Sequence, residues 1–197
     1  MTPSEKLVEW ALAQVGCPYI IGARGQKCLP PYRLYVYNRG TEYSAKVKAN
    51  CNVLSGRKPT CAGCKWGQRP SYDCRGLTAK GVYVATGRTT QGGGSSSQWR
   101  DNSNWTEKGL LKDMPDKPCI LFRGDGKSFP HTGIYIGNGW SIHSSGHSTG
   151  VIKSPMPLAW THYAIPVLMY PKLSIPDEID ALADRIGGIA DALSSAN

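Results

Sequence analysis

Two short segments of the chain contain the residue types needed for thiol chemistry. Cys74 lies in the segment 71–77 (SYDCRGL), directly before residues with helical spacing, and the segment 131–143 begins and ends with histidine. A thiol is a strong nucleophile only as the thiolate, which a helix N-terminus stabilises and an adjacent base generates. The two segments therefore indicate a cysteine nucleophile with a histidine base, if the fold brings them together.

The loop between the two histidines predicts which face of a β-hairpin each of them occupies. Residues 137–139 are Gly-Asn-Gly, and glycine at both ends permits the positive φ angles of a three-residue loop. Such a loop pairs Ile136 with Trp140, and strand alternation then turns His131 and His143 to the same face. A two-residue Asn-Gly turn would instead place the histidines on opposite faces.

These patterns predict a Cys-His-His triad. Cys74 is the nucleophile, His131 is the base, and His143 orients the imidazole of His131. His147, in a loop rich in serine and glycine, is the alternative third member. The competing interpretation is a buried structural thiol with two surface histidines, and the polar neighbours of Cys74 argue against it.

The spacing of apolar residues predicts helices in the first half of the chain and strands in the second. The first helix covers 5–15 with Ser4 as its cap, and the second covers 74–84 with Val84 on its inner face. Residues 92–97 (GGGSSS) have the composition of a flexible loop. This order favours an α+β domain with an antiparallel sheet. The predicted strands are 119–122, 132–136, 140–143, 150–153 and 163–169.

The composition is that of a globular protein with one well-buried domain: 197 residues, 40% hydrophobic and 19% charged. The net charge of +9 indicates an anionic partner, such as nucleic acid, a membrane surface or an acidic wall polymer. No basic cluster accompanies a nucleic-acid-binding motif, so we expect no nucleic-acid partner. No apolar run approaches the roughly 20 residues of a membrane span. The first residues lack a signal-peptide pattern, which predicts synthesis in the cytoplasm without a Sec signal, unless the chain is a mature form.

The pattern changes after residue 169, which predicts one domain over 1–169 and a linker with a short amphipathic helix over 170–197. The favoured interpretation is a helix docked on its own domain, and the alternative is self-association or anchoring in a larger assembly. The apolar positions of this tail alternate spacings of four and three: Ile175, Ile179, Leu182, Ile186, Ile189 and Leu193.

Several motifs, in one order along the chain, closely resemble those of the NlpC family of bacterial cell-wall cysteine peptidases. The resemblance covers most of residues 5–169. The motifs are 16–19 (GCPY) with Gly22, 72–77 (YDCRGL), 131–139 (HTGIYIGNG) and 142–143 (IH).

The resemblance implies a papain-like α+β fold, with the nucleophile at the N-terminus of a helix packed on an antiparallel sheet. It implies hydrolysis of peptidoglycan stem peptides, typically at the γ-D-glutamyl linkage to the diamino acid, through an acyl-enzyme and without a catalytic cofactor. Cys74, His131 and His143 take the catalytic roles. Tyr19 lies beside the thiol, and Asp73 helps to hold the free amine of an N-terminal L-alanine.

One position departs from the family pattern. Arg75 stands where the family usually has serine. Because a guanidinium is always charged and can bind a carboxylate in two places, we predict that Arg75 binds substrate and favours an acidic group on the stem peptide.

Relative to the usual family layout, residues 25–70 form an insertion that we expect to be irregular. Cys61 and Cys64 have the two-residue gap of thiolate metal knuckles, and Cys28 with Cys51 would complete a structural zinc site. Two disulfides are the main alternative, because the implied substrate lies outside the cytoplasm, and unpaired thiols are the third. The remaining two cysteines outside the motif adjoin apolar residues and are expected in the core: Cys17 and Cys119.

The biological setting that we expect is a phage or prophage. The enzyme would be released at lysis or carried on the virion tail, with tail proteins as partners, to act on the cell wall. An injected antibacterial effector is another setting. Two alternatives come from other functional classes: a non-catalytic wall-binding module of the same fold, and an amidase, acyltransferase or lipid hydrolase that uses the same thiol.

Overall fold

The computed structural model describes residues 1–38, 44–157, 159–171 and 186. Within them there are five α-helices: α1 (Pro3–Ala13), α2 (Pro30–Asn38), α3 (Ser44–Ala49), α4 (Cys74–Thr86) and α5 (Ser95–Arg100). The same residues contain eight strands: β1 (Arg24–Lys27), β2 (Pro70–Tyr72), β3 (Trp105–Leu110), β4 (Cys119–Arg123), β5 (His131–Tyr135), β6 (Trp140–Gly146), β7 (Gly150–Pro155) and β8 (His162–Pro166).

The sheet that supports the site has six antiparallel strands in the order β3-β8-β4-β5-β6-β7. Strands β1 and β2 pair in a separate antiparallel ribbon. Helix α4 packs on β5 and β6, and α1 packs on α4. The predicted α+β class, with the helix that begins at Cys74 lying on an antiparallel sheet, is therefore confirmed.

The core lies where α4 meets α1 and the sheet. Leu7 of α1, Leu77 of α4 and Ile134 of β5 are fully buried there. Gly81 makes the close approach possible, because a Cβ at that position would lie 2.9 Å from Leu7 Cδ1 and 3.2 Å from Ile134 Cδ1. A larger residue at position 81 would force these buried side chains to shift where α4 meets α1 and β5.

The first helix begins earlier than the sequence predicted. Thr2, not Ser4, is the N-cap, and Pro3 occupies the first helical position. The hydroxyl of Thr2 accepts the N–H of Glu5, while the Glu5 carboxylate accepts the N–H of Thr2 at 2.7 Å. This reciprocal capping box is more favourable than a serine cap placed inside the first turn, because it satisfies two backbone donors at once.

The inner face of α4 also differs from the prediction at one position. Val84 is 36% exposed. The buried face of the helix is centred on Thr78, Val82 and Ala85, and Val84 lies about 125° around the helix from that centre.

Two segments expected to be irregular contain helices. Residues 95–100, which include half of the loop predicted over 92–97, form α5. Two serine hydrogen bonds fix the start of this helix. Ser97 Oγ accepts the N–H of Gly94, and Ser95 Oγ donates to the carbonyl of Phe129. The insertion over 25–70 likewise contains β1, α2 and α3, with Val36 and Val47 buried.

The helix predicted in the tail falls outside the described residues, apart from the single residue Ile186. Among the helices that the structure does describe, none has both the length and the apolar character needed to cross a membrane.

Candidate active site

Asp73 fixes the start of α4 and the loop beside it. Its Oδ1 accepts the N–H of Gly76 as the N-cap, and its Oδ2 accepts the N–H of Gly22 at 2.8 Å. Cys74 is therefore the first residue of α4 and is partly exposed. The backbone N–H groups of Cys74 and Arg75, which have no partner within the helix, act on the sulfur and favour its negative charge.

The β5–β6 hairpin has the three-residue loop that the sequence predicted. Ile134 pairs with Ile142, and the N–H of Ile136 donates to the carbonyl of Trp140 at 3.0 Å. Residues 137–139 have φ angles of 89°, 52° and 73°, which the two glycines and the asparagine accommodate. The histidines at the ends of the hairpin consequently share a face.

His131 and His143 are joined by a hydrogen bond and lead to a third group. Nε2 of His131 lies 2.9 Å from Nδ1 of His143, and Nε2 of His143 lies 3.2 Å from Oγ of Ser154 in β7. We assign the protons so that each Nε2–H donates away from the cleft, first to His143 and then to Ser154. This assignment leaves Nδ1 of His131 as the acceptor for a thiol proton.

Two further residues act on the histidine pair, and the sequence did not reveal them. The ring of Trp160 stacks on His131 with 5.4 Å between centroids, meets His143 edge-on, and donates from Nε1 to Ser141 Oγ at 3.4 Å. Arg123 pairs with His131 across β4 and β5, and its charge lowers the pKa of both histidines. Like Ser154, these residues are brought in by other strands and loops, so no local spacing marks them.

Cys74 and His131 line one cleft of about 720 Å³. Tyr19 borders the same cleft, with its ring edge-on to His147 and 4.7 Å between centroids. His147 thus lies against Tyr19, whereas His143 contacts His131. His147 also lines the cleft. The other lining residues come from α3 and the residue after it, β4, the residue before β5, the end of β6 and the turn that follows it: Lys46, Ala49, Asn50, Arg123, Pro130, Ser145, Gly146, Ser148 and Thr149.

Burial decides the protonation of the two groups that would react. Burial, together with the Asp73 carboxylate, raises the pKa of Cys74 to about 11, although the N–H of Thr132 opposes this shift. Burial and then neighbouring positive charge lower the pKa of His131 to about 3. The resting pair at neutral pH is an uncharged thiol and imidazole, so the proton has to move as the sulfur attacks.

The structure places the Arg75 side chain away from the cleft, so its expected role in binding substrate stays a prediction. Its side chain is only 6% exposed, and Nη2 donates to the carbonyl of Thr90 at 2.9 Å. The side chain extends from α4 into the protein and does not line the cleft. Asp73 uses both carboxylate oxygens on backbone N–H groups, so its expected role in holding a substrate amine stays a prediction.

All seven cysteines are free thiols, and Cys17 and Cys119 are buried in the core as expected. The four cysteines predicted to hold zinc lie in the insertion and border one small cavity. Among the described residues, no group of three or more His, Cys, Asp or Glu side chains is placed so that it could hold a metal ion. The four insertion cysteines are Cys28, Cys51, Cys61 and Cys64.

The fold and the cleft define a papain-like α+β protein with a cysteine at a helix N-terminus and a histidine pair on the adjoining sheet. Residues 63–167, more than half of the chain, match the NlpC/P60 family. The chain belongs to the NlpC/P60 family and has the fold of its peptidoglycan hydrolases. A search of curated protein sequences found no match.

Solved structures with the same fold include proteins that differ in catalytic status. The P60 domain of antigen MAP1204 from Mycobacterium avium subspecies paratuberculosis has a TM-score of 0.52 and 21% identity, covering 85% of this chain and 96% of that one. The peptidoglycan hydrolase RipB from Mycobacterium tuberculosis has a TM-score of 0.51 and 20% identity, covering 83% and 65%. RipD from the same organism, described as a non-catalytic NlpC/p60 domain protein adapted to peptidoglycan binding, has a TM-score of 0.50 and 17% identity, covering 85% and 98%.

Proposed function

We propose that the protein is a cysteine endopeptidase that hydrolyses peptidoglycan stem peptides. The observation that carries the proposal is the hydrogen-bonded chain from His131 through His143 to Ser154, whose first member shares a cleft with Cys74. A protein that only bound the wall would have no use for an oriented imidazole in the same cleft as a thiol. Membership in the NlpC/P60 family supports peptidoglycan as the substrate.

Acylation begins with the transfer of a proton. The thiol proton of Cys74 moves to Nδ1 of His131 while Sγ attacks the carbonyl carbon of the scissile amide. The N–H groups at the start of α4 meet the negative charge on the carbonyl oxygen. His131 then gives the proton to the leaving nitrogen, the C–N bond breaks, and a thioester remains on Cys74.

Deacylation repeats the transfer with water. His131 takes a proton from water, the oxygen attacks the thioester carbon, the C–S bond breaks, and the proton returns to the sulfur of Cys74. His131 is positively charged in the middle of both halves. Its Nε2–H donates to His143 throughout, which fixes the ring and spreads the charge towards Ser154.

For the scissile bond we propose the γ-D-glutamyl linkage to the diamino acid, on the strength of the family resemblance. The test is digestion of purified peptidoglycan of known diaminopimelate chemistry, with mass analysis of the soluble products. Wild-type protein is expected to release fragments that end in D-glutamate. The Cys74→Ala variant is expected to release none, and Cys17→Ala, which removes a thiol outside the cleft, is expected to match wild type.

The second candidate is a non-catalytic wall-binding module. RipD, which has the same fold, is described as such a protein. This candidate predicts that wild type and Cys74→Ala pellet equally with insoluble peptidoglycan while neither releases soluble fragments. A cut between the sugar and L-alanine would instead indicate an amidase. Either result would overturn the endopeptidase proposal.

The setting that we propose is phage lysis or a virion tail, and the high net charge of +9 suits contact with an anionic wall. Mass spectrometry of purified virions separates the two cases, because a tail enzyme is retained in the particle and a lysis enzyme is not. Self-association through the tail is tested by comparing the mass in solution of the full chain with that of a chain ending at Pro171. A monomer in both cases would reject self-association.

A further inference from the structure

We propose that the four insertion cysteines, Cys28, Cys51, Cys61 and Cys64, bind one structural zinc ion directly behind a wall of the cleft. The four residues come from three separate places in the chain: the end of β1, the end of α3, and the loop before β2. The fold nevertheless brings all four to the border of one cavity.

The size and lining of this cavity suit an ion. Its free volume is about 10 Å³, close to the minimum that admits a single water, so no organic ligand fits. Cys28 and Cys51 are buried, at 5% and 9% exposure, while Cys61 and Cys64 are partly exposed. Thiolates are the ligands that zinc takes in closed structural sites of tetrahedral geometry.

The segment from Cys61 to Gly67 contains two successive tight turns. The N–H of Cys64 donates to the carbonyl of Cys61 at 3.0 Å, and the N–H of Gly67 donates to the carbonyl of Cys64 at 3.0 Å. Two successive tight turns of this kind put both cysteine side chains on one side of the loop. The pair is thus presented together to the cavity that Cys28 and Cys51 close from the other side.

The charge beside the cavity is the second, independent observation. Arg33 is only 4% exposed, borders the same cavity, and donates from Nε to Sγ of Cys28 at 3.3 Å. A buried guanidinium is costly unless an anion offsets it. Zinc with four thiolates carries a net charge of about −2, and an N–H donor to a ligand sulfur is the usual outer partner of such a centre.

The thiols border the cavity without yet meeting at one point. In the described part of the chain, no three potential ligands are placed so that they could hold a metal ion as they stand, because Zn–S bonds require about 2.3 Å. Rotation about the Cα–Cβ bonds is the movement that closes this gap, and the cavity already has sulfur on its sides. Binding then releases the thiol protons to solvent.

The site would stabilise one wall of the cleft. Asn50, next to Cys51 in sequence, borders both the cysteine cavity and the cleft. Arg33 donates from Nη1 to the carbonyl of Tyr19 at 3.1 Å, and Tyr19 lines the cleft. A metal that holds Cys28 and Cys51 therefore also fixes the positions of Tyr19 and Asn50.

The test is the metal content of the full chain purified from cells grown with zinc. We expect about one zinc per chain, and a melting temperature that falls when a chelator removes the metal. Replacement with cobalt should give the visible absorption bands of a tetrahedral thiolate site. Less than half an equivalent of zinc, or a mass showing two intramolecular disulfides, would overturn the proposal.

Variants separate the ligands from ordinary thiols. Cys61→Ser with Cys64→Ser should lose the zinc, whereas Cys17→Ala should keep it. If the double variant does not fold, Cys61→His decides the question, because histidine is also a zinc ligand and should retain the metal. Loss of metal from the histidine variant with unchanged melting temperature would count against the site. These readouts do not depend on peptidase activity, so they stand or fall apart from the proposed function.

Discussion

The hydroxyl of Ser154 ends the hydrogen-bonded chain that starts at His131. It lies 3.2 Å from Nε2 of His143 and contacts neither the cleft nor the thiol. Its effect on catalysis has to pass through the orientation and charge of the two rings. Ser154 is therefore a positioning residue.

We expect Ser154→Ala to lower kcat about fivefold with little change in KM, because a buried hydrogen bond contributes about 1 kcal/mol. The measurement is steady-state hydrolysis of a stem peptide. Ser154→Thr keeps the hydroxyl and should restore most of the rate. Equal losses in the alanine and threonine variants would show that packing, and not the hydroxyl, matters.

Lys46, rather than Arg75, is now the residue that we expect to recognise an acidic group on the stem peptide. It lines the cleft from α3, while Arg75 is buried behind α4. We expect Lys46→Ala to raise KM for a stem peptide with a free carboxylate about threefold and to leave the amidated peptide unaffected, since an exposed ion pair is worth about 0.2–1 kcal/mol. Lys48→Ala, on the same helix but outside the cleft, is the matched control and should resemble wild type.

The complementary prediction concerns Arg75 itself. Arg75→Ser should leave the preference between free and amidated peptides unchanged and lower the free energy of unfolding by about 1–3 kcal/mol, because the carbonyl of Thr90 loses a buried charged donor. Urea unfolding and the same peptide pair measure the two effects. A changed preference without loss of stability would restore the original prediction.

At the scale of single residues, the sequence predicted what local spacing controls. Because the loop 137–139 has three residues, the sequence predicted that His131 and His143 share a face, and the hairpin confirms this pairing. Ser154 and the ring that stacks on His131 were not predicted, since other strands and loops bring them in. The sequence did not reveal that the Arg75 side chain is buried, because a side chain at a helix start can extend towards the ligand or towards the core.

At the scale of elements, the hairpin loop controls the active site. Deleting Asn138 leaves two loop residues, and a two-residue turn moves every side chain of β6 to the other face. We expect this variant to lose all hydrolysis and much of its stability. Asn138→Gly keeps the loop length and the positive φ of 52°, so it should retain activity, as judged by hydrolysis and circular dichroism.

A deletion variant that stays active would show that the histidine pair does not depend on loop length.

Two elements were missed by the sequence analysis, and each has a physical reason. Strand β3 has the burial pattern of an edge strand, mostly exposed over 105–110, so no apolar alternation marks it. Helix α5 depends on serines that bond to Phe129 from a distant segment, which composition alone presents as a loop.

At the scale of the whole molecule, three buried histidines make the free energy of unfolding depend on pH. Burial lowers the pKa of His131 to about 3 and those of His143 and His147 to about 4, from an ordinary value of 6.5. The unfolded chain binds protons that the folded chain does not, so stability falls as the pH drops below about 6.5. Each histidine contributes up to about 1.4 kcal/mol per pH unit.

We therefore expect the free energy of unfolding in urea to decrease steeply between pH 7 and pH 5. His147→Gln removes one of the three groups and should reduce the slope by about a third. Asp73, whose pKa is raised by burial, acts in the opposite direction, because the folded chain binds its proton before the unfolded chain does as the pH falls. A free energy of unfolding that stays constant from pH 7 to pH 5 would contradict the expectation.

The use of Asp73 on two backbone N–H groups has a consequence for the fate of the products. That carboxylate is engaged, and the described residues that line the cleft include the cations Lys46 and Arg123 but no acid. Peptide hydrolysis creates a new ammonium group beside these cations, and like charges repel. We expect the departing fragment to leave quickly and not to attack the thioester again, so water, and not a second amine, should complete the turnover.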